Sequence, residues 1–217
     1  MLLAIALGLS IGFVLNVCAD RLPRTTAARP CGPHHAARWW VLLLVSAGLC
    51  TYLQRAHGWS PGFAIQVAYC SLLLLIAAID LEHSLIPNAL VGSGVVLALG
   101  FNTLYPAPGL TPALWGAAAG GGVFVLLALA RRNALGLGDV KLASLIGMMT
   151  GFPWVLQALT LGIVLGGLMA GLLLLTQVRR PKQYMPYAPY LVAGSIVTLL
   201  YGQRIANWYA SIIARGG

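Results

Sequence analysis

Eight apolar runs follow one another along this chain, at about 1–19, 39–54, 62–80, 88–105, 112–130, 140–152, 154–177 and 188–206. An α-helix needs about 20 apolar residues to cross the ~30 Å hydrocarbon layer of a bilayer. An open strand cannot satisfy its backbone N–H and C=O groups in lipid, so each run reads as a helix. Composition agrees. Hydrophobic residues make up 59% of the chain and charged residues 8%, where an ordinary soluble domain carries roughly a quarter charged residues. The expected fold class is all-α, a polytopic membrane helix bundle of about eight transmembrane helices. At 217 residues the chain has no room for a large soluble domain besides. A single transmembrane domain is expected over 1–217, with 20–38 as a short cytoplasmic loop.

The few charges give an orientation. Ten of the thirteen Lys and Arg residues fall in three connections: Arg21, Arg24, Arg29 and Arg38; Arg131, Arg132 and Lys141; Arg179, Arg180 and Lys182. Eight spans put all three, and the uncharged-by-Lys/Arg connection near 80–88, on one side. The positive-inside tendency makes that side the cytoplasm, with both termini outside. Arg55, Arg204 and Arg215 run against it. The first apolar run has no basic residue before it and two after it, the reverse of a secretory signal. A net charge of +9 does not point to nucleic acid. The basic residues lie between apolar segments, not on a patch interleaved with aromatic rings. The environment implied is membrane lipid.

Cys18, Cys31, Cys50 and Cys70 include no CxxC pair, and three lie in or beside apolar runs, where a thiol packs as a small apolar group. The chain holds 26 glycines. The pairs Gly8/Gly12, Gly116/Gly120, Gly162/Gly166 and Gly167/Gly171 have the spacing that lets helix backbones approach closely in a membrane.

The chain has only four acidic residues, Asp20, Asp80, Glu82 and Asp139. A carboxylate at membrane depth costs about 2.5–3.5 kcal/mol on insertion scales and is kept where it has a partner or a task. Asp80 closes the run that begins at Ser71. Asp139 follows Gly136-Leu137-Gly138 and precedes Val140-Lys141. Each is expected at the cytoplasmic end of a helix, at one depth and on one face. Two carboxyls brought together there share a proton: one activates a water and the other protonates the departing amide nitrogen. Gly136 and Gly138 permit a bend and the close approach of a substrate strand. Run 140–152 spans only about 20 Å as a helix, so Asp139 is expected in a wet notch below the membrane surface. Simpler roles compete. Asp139 can cap its helix or pair with Lys141, and Asp80 can be solvated at the interface. Asp20 beside Arg21, Glu82 and His83 read as interfacial charges and polar groups.

The segment Ile79-Asp80-Leu81-Glu82-His83-Ser84-Leu85-Ile86-Pro87-Asn88 resembles the first catalytic motif of prepilin peptidases. Gly136-Leu137-Gly138-Asp139-Val140-Lys141-Leu142 resembles their GxGD motif. Gly12 to Pro23 is similar to the family's opening helix and first turn, and Tyr184-Met185-Pro186-Tyr187-Ala188-Pro189-Tyr190 to its late Pro-aromatic-small-Pro motif. The matches run in family order over nearly the whole chain. The resemblance implies a membrane aspartic endopeptidase with Asp80 and Asp139 as its catalytic pair. Gly136, Gly138 and Lys141, with Glu82, Pro87 and Asn88, would be supporting motif residues. It also implies type IV prepilins or pseudopilins as substrates, each with a short basic leader, a glycine before the cut and an apolar helix after it, and a place in the bacterial inner membrane with the site facing the cytoplasm.

The chain departs from the family at one point. Many members carry a zinc domain with two CxxC pairs between the first two helices and methylate the new amino terminus. Here that loop holds only Cys31, His34 and His35, short of a closed four-ligand site. No metal ligands are assigned, no cofactor is expected, and neither zinc nor S-adenosylmethionine is read into the chain. A presenilin-like protease would show Tyr before the first aspartate, where this chain has Ile79. The alternative from another class is a proton- or ion-coupled transporter, which also uses membrane carboxylates and glycine-broken helices. Against it, both aspartates are expected at one face, away from the midplane, and no inverted repeat is visible.

Overall fold

The computed structural model describes residues 1–22, 34–106, 108–130, 136–176 and 186–216. Every regular element among them is helical. In chain order these are α1 (Leu2–Arg21), α2 (His34–His57), α3 (Pro61–His83), α4 (Asn88–Leu104), α5 (Leu110–Ala130), α6 (Leu137–Thr150), α7 (Trp154–Leu175) and α8 (Ala188–Gly216). The fold is all-α, with the eight helices where the apolar runs predict them. Among the described residues, four segments are by themselves long and apolar enough to cross a membrane: Leu2–Arg21, Pro61–His83, Leu110–Ala130 and Trp154–Leu173. α4 is apolar but shorter. Most of each of three of these segments is not buried within the chain, and large side chains such as Phe13, Trp115, Leu129 and Leu168 point outward. An outer surface of that kind suits lipid contact, where packing of small residues and interhelical hydrogen bonds hold helices together.

The chain divides into two compact units, Met1–Gly94 and Val95–Gly217. In the first, Gly8 and Gly12 lie against the α2 backbone. A Cβ added at Gly8 would meet the Ala47 Cα at 2.5 Å, and one at Gly12 the Leu43 Cα at 2.8 Å. Asn16, fully buried, donates from Nδ2 to the carbonyls of Gly12 (3.0 Å) and Trp39 (3.3 Å), tying α1 to the start of α2. α3 is the most enclosed of the four long segments. Ser60 caps it by accepting from the Phe63 N–H, and Pro61 occupies its first turn, where a missing N–H costs nothing. Its core side chains include Leu73, Ile76 and Ile79. It ends at Ser84, whose φ of 51° is left-handed.

In the second unit α5 and α6 pack backbone to backbone. A Cβ at Gly116 would lie 2.2 Å from the Gly147 carbonyl oxygen, and one at Gly120 would lie 2.4 Å from that of Ala143. Asn102 of α4 donates to the Met148 carbonyl of α6 at 3.1 Å. Gly162 and Gly194 bring α7 and α8 together, and Gly166 faces the Tyr187 ring. Three of the four glycine pairs read from the sequence therefore lie at helix interfaces. Among the described residues, Gly167 and Gly171 face nothing within 4 Å.

Candidate active site

Asp80 and Asp139 are the two buried acidic side chains, with 2% and 5% of their surface exposed, whereas Asp20 and Glu82 keep more exposure. Asp80 lies in the first unit and Asp139 in the second.

α3 runs three residues past its expected end, so Asp80 sits inside the last turn. Apolar neighbours Ile76, Ala77, Ala78 and Ile79 bury the turn before it. The Asp80 carbonyl accepts from the Ser84 N–H at 2.8 Å, closing the helix. Beyond the cap, Leu85 is exposed and Pro87 leads into α4, its carbonyl accepting from Leu90 and Val91. Pro87 and Asn88 thus stand at the junction of α3 and α4, with Pro87 just before the first residue of α4, where proline has no helical N–H to lose.

α6 begins three residues before the expected 140, which corrects the position of Asp139: it is the third residue of the helix and does not precede it. Its Oδ2 accepts from the Gly136 N–H at 3.2 Å, and its own N–H donates to the Gly136 carbonyl at 3.1 Å. The carboxylate therefore does serve as the reach-back half of a helix cap, and its negative charge suits the helix N-terminus. Gly136 has φ −78° and ψ 148°, an extended conformation open to any residue, so no left-handed bend calls for glycine there. Gly138 lies in the first turn. Lys141 is exposed on the second turn.

Tyr187 lies in the Pro-aromatic-small-Pro segment, and nothing in the sequence alone gives it a role. Its ring packs on Gly166, where a Cβ would come within 2.8 Å, and against the Phe124 ring with centroids 6.2 Å apart. Burial raises its phenol pKa, and the negative charge of Asp139 raises it further. The phenol therefore stands within electrostatic reach of the Asp139 carboxyl and stays protonated in the neutral range.

Arg38, read from the sequence only as a cytoplasmic positive charge, bridges two carboxylates. One guanidinium nitrogen donates to Asp20 and the other to Glu82. Asp20 is thus paired with Arg38 across helices, and Asp20 and Arg38 lie in helix ends, not in a loop. No single-sequence signal links positions this far apart. His83 is exposed, and Cys50 and Cys70 are buried free thiols, as small packing groups would be. Among the described residues no three His, Cys, Asp or Glu side chains form a metal-binding group. Cys31, and the basic residues Arg24, Arg29, Arg131, Arg132, Arg179, Arg180 and Lys182, lie outside the described residues, as do Tyr184 and Met185.

The fold and site define a class: an all-helical integral membrane protein with two buried carboxyls, each in the terminal turn of a helix. Residues 67–171, which hold both carboxyls, match the type IV leader peptidase family. Relatives named prepilin leader peptidase/N-methyltransferase extend the likeness. The one from Bacillus subtilis is 29% identical over 181 residues, covering 83% of this chain and 73% of the relative. That from Stutzerimonas stutzeri is 30% identical over 74% of this chain and 58% of its own length. That from Pseudomonas aeruginosa is 26% identical over 96% and 93%. This last alignment runs over 270 positions, more than the 217 of this chain, so that relative carries insertions absent here. No solved structure matches. Over residues 67–171, just under half of its length, the chain is similar to the type IV leader peptidase family.

Proposed function

We propose that this protein is an aspartic endopeptidase of the bacterial plasma membrane. In this reading it removes the basic leader from type IV prepilins or pseudopilins at the cytoplasmic face, with Asp80 and Asp139 as its paired carboxyls. The observation that carries it is selective burial: of four acidic residues, these two alone are withdrawn from solvent. Both fall in the segment matching the leader peptidase family, and the relatives bear the name of prepilin leader peptidases.

In this reading the two carboxyls share one proton, because like charges brought within a few Å would resist joint ionisation. The ionised member takes a proton from water, whose oxygen attacks the carbonyl carbon of the leader glycine. The protonated member gives its proton to the departing nitrogen as the C–N bond breaks. The balance closes with one water consumed and one proton passed through the pair. No metal and no organic cofactor enter. Gly136 and Gly138 let the substrate strand approach the Asp139 turn, and Pro87 and Asn88 shape the connection after Asp80. α6, with 14 residues, is about 21 Å long against a ~30 Å hydrocarbon core, which supports a start below the membrane surface. The Lys and Arg distribution supports the cytoplasmic placement.

The test is co-expression with a model prepilin, with the product identified by its new amino terminus in mass spectrometry. The proposal expects a cut directly after the leader glycine, unaffected by zinc chelators. Absence of any cut across several prepilins would overturn it and direct attention to proton-coupled transport. Loss of cleavage on chelation would overturn the metal-free chemistry.

A further inference from the structure

We infer that Arg38 is a positioning residue for Asp80, acting by clamping the last turn of α3 to the ends of α1 and α2. This deepens the function proposed above and rests on Asp80 being one of the reacting carboxyls.

The last turn of a helix is its weakest part. Its carbonyls lack intrahelical partners, and it opens at low cost. The end of α3 is weaker than most, because its cap, Ser84, is a non-glycine residue held at φ 51°. A carboxyl whose reactivity depends on fixed geometry is thus built on a turn with poor intrinsic hold. The missing hold comes from the side. Glu82, two residues beyond Asp80 on that turn, is gripped by one arm of the Arg38 guanidinium, and the other arm grips Asp20 at the end of α1. Arg38 itself is rooted in the first part of α2, next to Trp39, whose carbonyl accepts from Asn16 of α1. Three helix ends are therefore fixed through one side chain.

Arginine suits the task and lysine does not. A planar guanidinium offers separate nitrogens to two carboxylates in set directions, whereas an ammonium is a single point charge. The Arg38 side chain is only 9% exposed, so the two ion pairs are shielded from the screening that weakens surface pairs. The arrangement also bears on substrate recognition. Asp20 and Glu82 are the acidic side chains that a basic leader would seek, and both already hold Arg38.

The test measures kcat and KM for prepilin cleavage by purified wild type, Arg38→Lys, Arg38→Gln, Glu82→Gln and the Arg38→Gln/Glu82→Gln double variant. Hydrogen exchange of the 80–84 amides is followed in each. Misplacing a reacting group by about 1 Å costs on the order of a hundredfold in rate, so kcat is expected to fall at least about tenfold in Arg38→Gln. KM should stay within about twofold, Arg38→Lys should recover only part of the rate, and the 80–84 amides should exchange faster. The double variant should be no slower than Arg38→Gln, because both act through one contact. Unchanged kcat in Arg38→Gln and Glu82→Gln, or faster binding of the basic leader with kcat intact, would overturn the inference while leaving the peptidase reading in place. A wild type that cuts no prepilin would remove both. Should Arg38→Gln fail to accumulate, Glu82→Gln and Arg38→Lys decide, since unperturbed kcat and exchange in those two are equally fatal.

Discussion

A single methyl group added at Gly147 is expected to disable the protein from inside the α5–α6 interface. An alanine Cβ there would lie 2.0 Å from the Gly116 carbonyl oxygen, 2.4 Å from its carbon and 2.9 Å from the Ala117 nitrogen. All three are backbone atoms of α5, so no side chain can swing aside. Reaching ordinary contact at 3.4 Å requires the two helices to part by roughly 1.4 Å. Overfilling a packed interior costs about 1–3 kcal/mol, and a rigid backbone clash of this size belongs at the upper end, about 3 kcal/mol. The same displacement moves α6, on which Asp139 sits, and a shift near 1 Å is worth about a hundredfold in rate where geometry governs reaction. The matched control is Gly122→Ala on α5, where a Cβ meets nothing within 4 Å among the described residues. That change is expected to be neutral or to stabilise by up to about 1 kcal/mol. Thermal unfolding of the two detergent-solubilised variants beside wild type, followed by the cleavage assay, reads both effects. Equal stability and activity in Gly147→Ala and Gly122→Ala would refute the close-packing argument.

Three further outcomes are expected. Asp139→Asn should keep the helix cap, since an amide oxygen still accepts from the Gly136 N–H, and should lose cleavage; Asp139→Ala should lose both, with an added stability cost of about 1 kcal/mol, measured by unfolding of the two proteins side by side. Asn102→Leu removes the hydrogen bond to the Met148 carbonyl and should destabilise the purified protein by about 0.6 kcal/mol, the average for such bonds between membrane helices. The Tyr187 phenol, raised first by burial and then by the Asp139 charge, should titrate at lower pH in Asp139→Asn yet remain above an ordinary tyrosine. Ultraviolet difference titration against Tyr187→Phe checks this, and an unchanged midpoint would contradict the electrostatic influence of Asp139. Because the folded-state pKa is raised, the stability tied to this phenol is complete below the unfolded tyrosine value and is lost as pH climbs through the folded one.

Much of this was legible in the sequence because lipid imposes simple rules. Backbone satisfaction forces helices, so the apolar runs mapped onto the helices directly. Close approach in a membrane needs small side chains, so Gly8/Gly12, Gly116/Gly120 and Gly162/Gly166 announced interfaces. The rule says nothing of partner choice, and Gly167/Gly171 carries the same spacing with nothing opposite among the described residues. Scarcity singled out Asp80 and Asp139 among the charges. Helix ends were less readable: Gly136 and Gly138 suggested a break before Asp139, whereas the carboxylate reaches back to Gly136 and starts the helix early. In the sequence Arg38 informs orientation alone, because a pairing across 18 residues to Asp20 and 44 to Glu82 is tertiary and leaves no local pattern. Tyr187 is equally silent, its slot being set by Gly166 on α7.

The most direct test of the central claim compares cleavage rates of Asp80→Asn, Asp139→Asn and the double variant at matched membrane levels. Carboxyls that act as one unit give single variants as inactive as the double, because either loss ends the shared-proton chemistry. That is the result predicted here. Measurable cleavage in one single variant that falls further in the double would mean that the two carboxyls contribute separately, and the account of a paired site would be wrong.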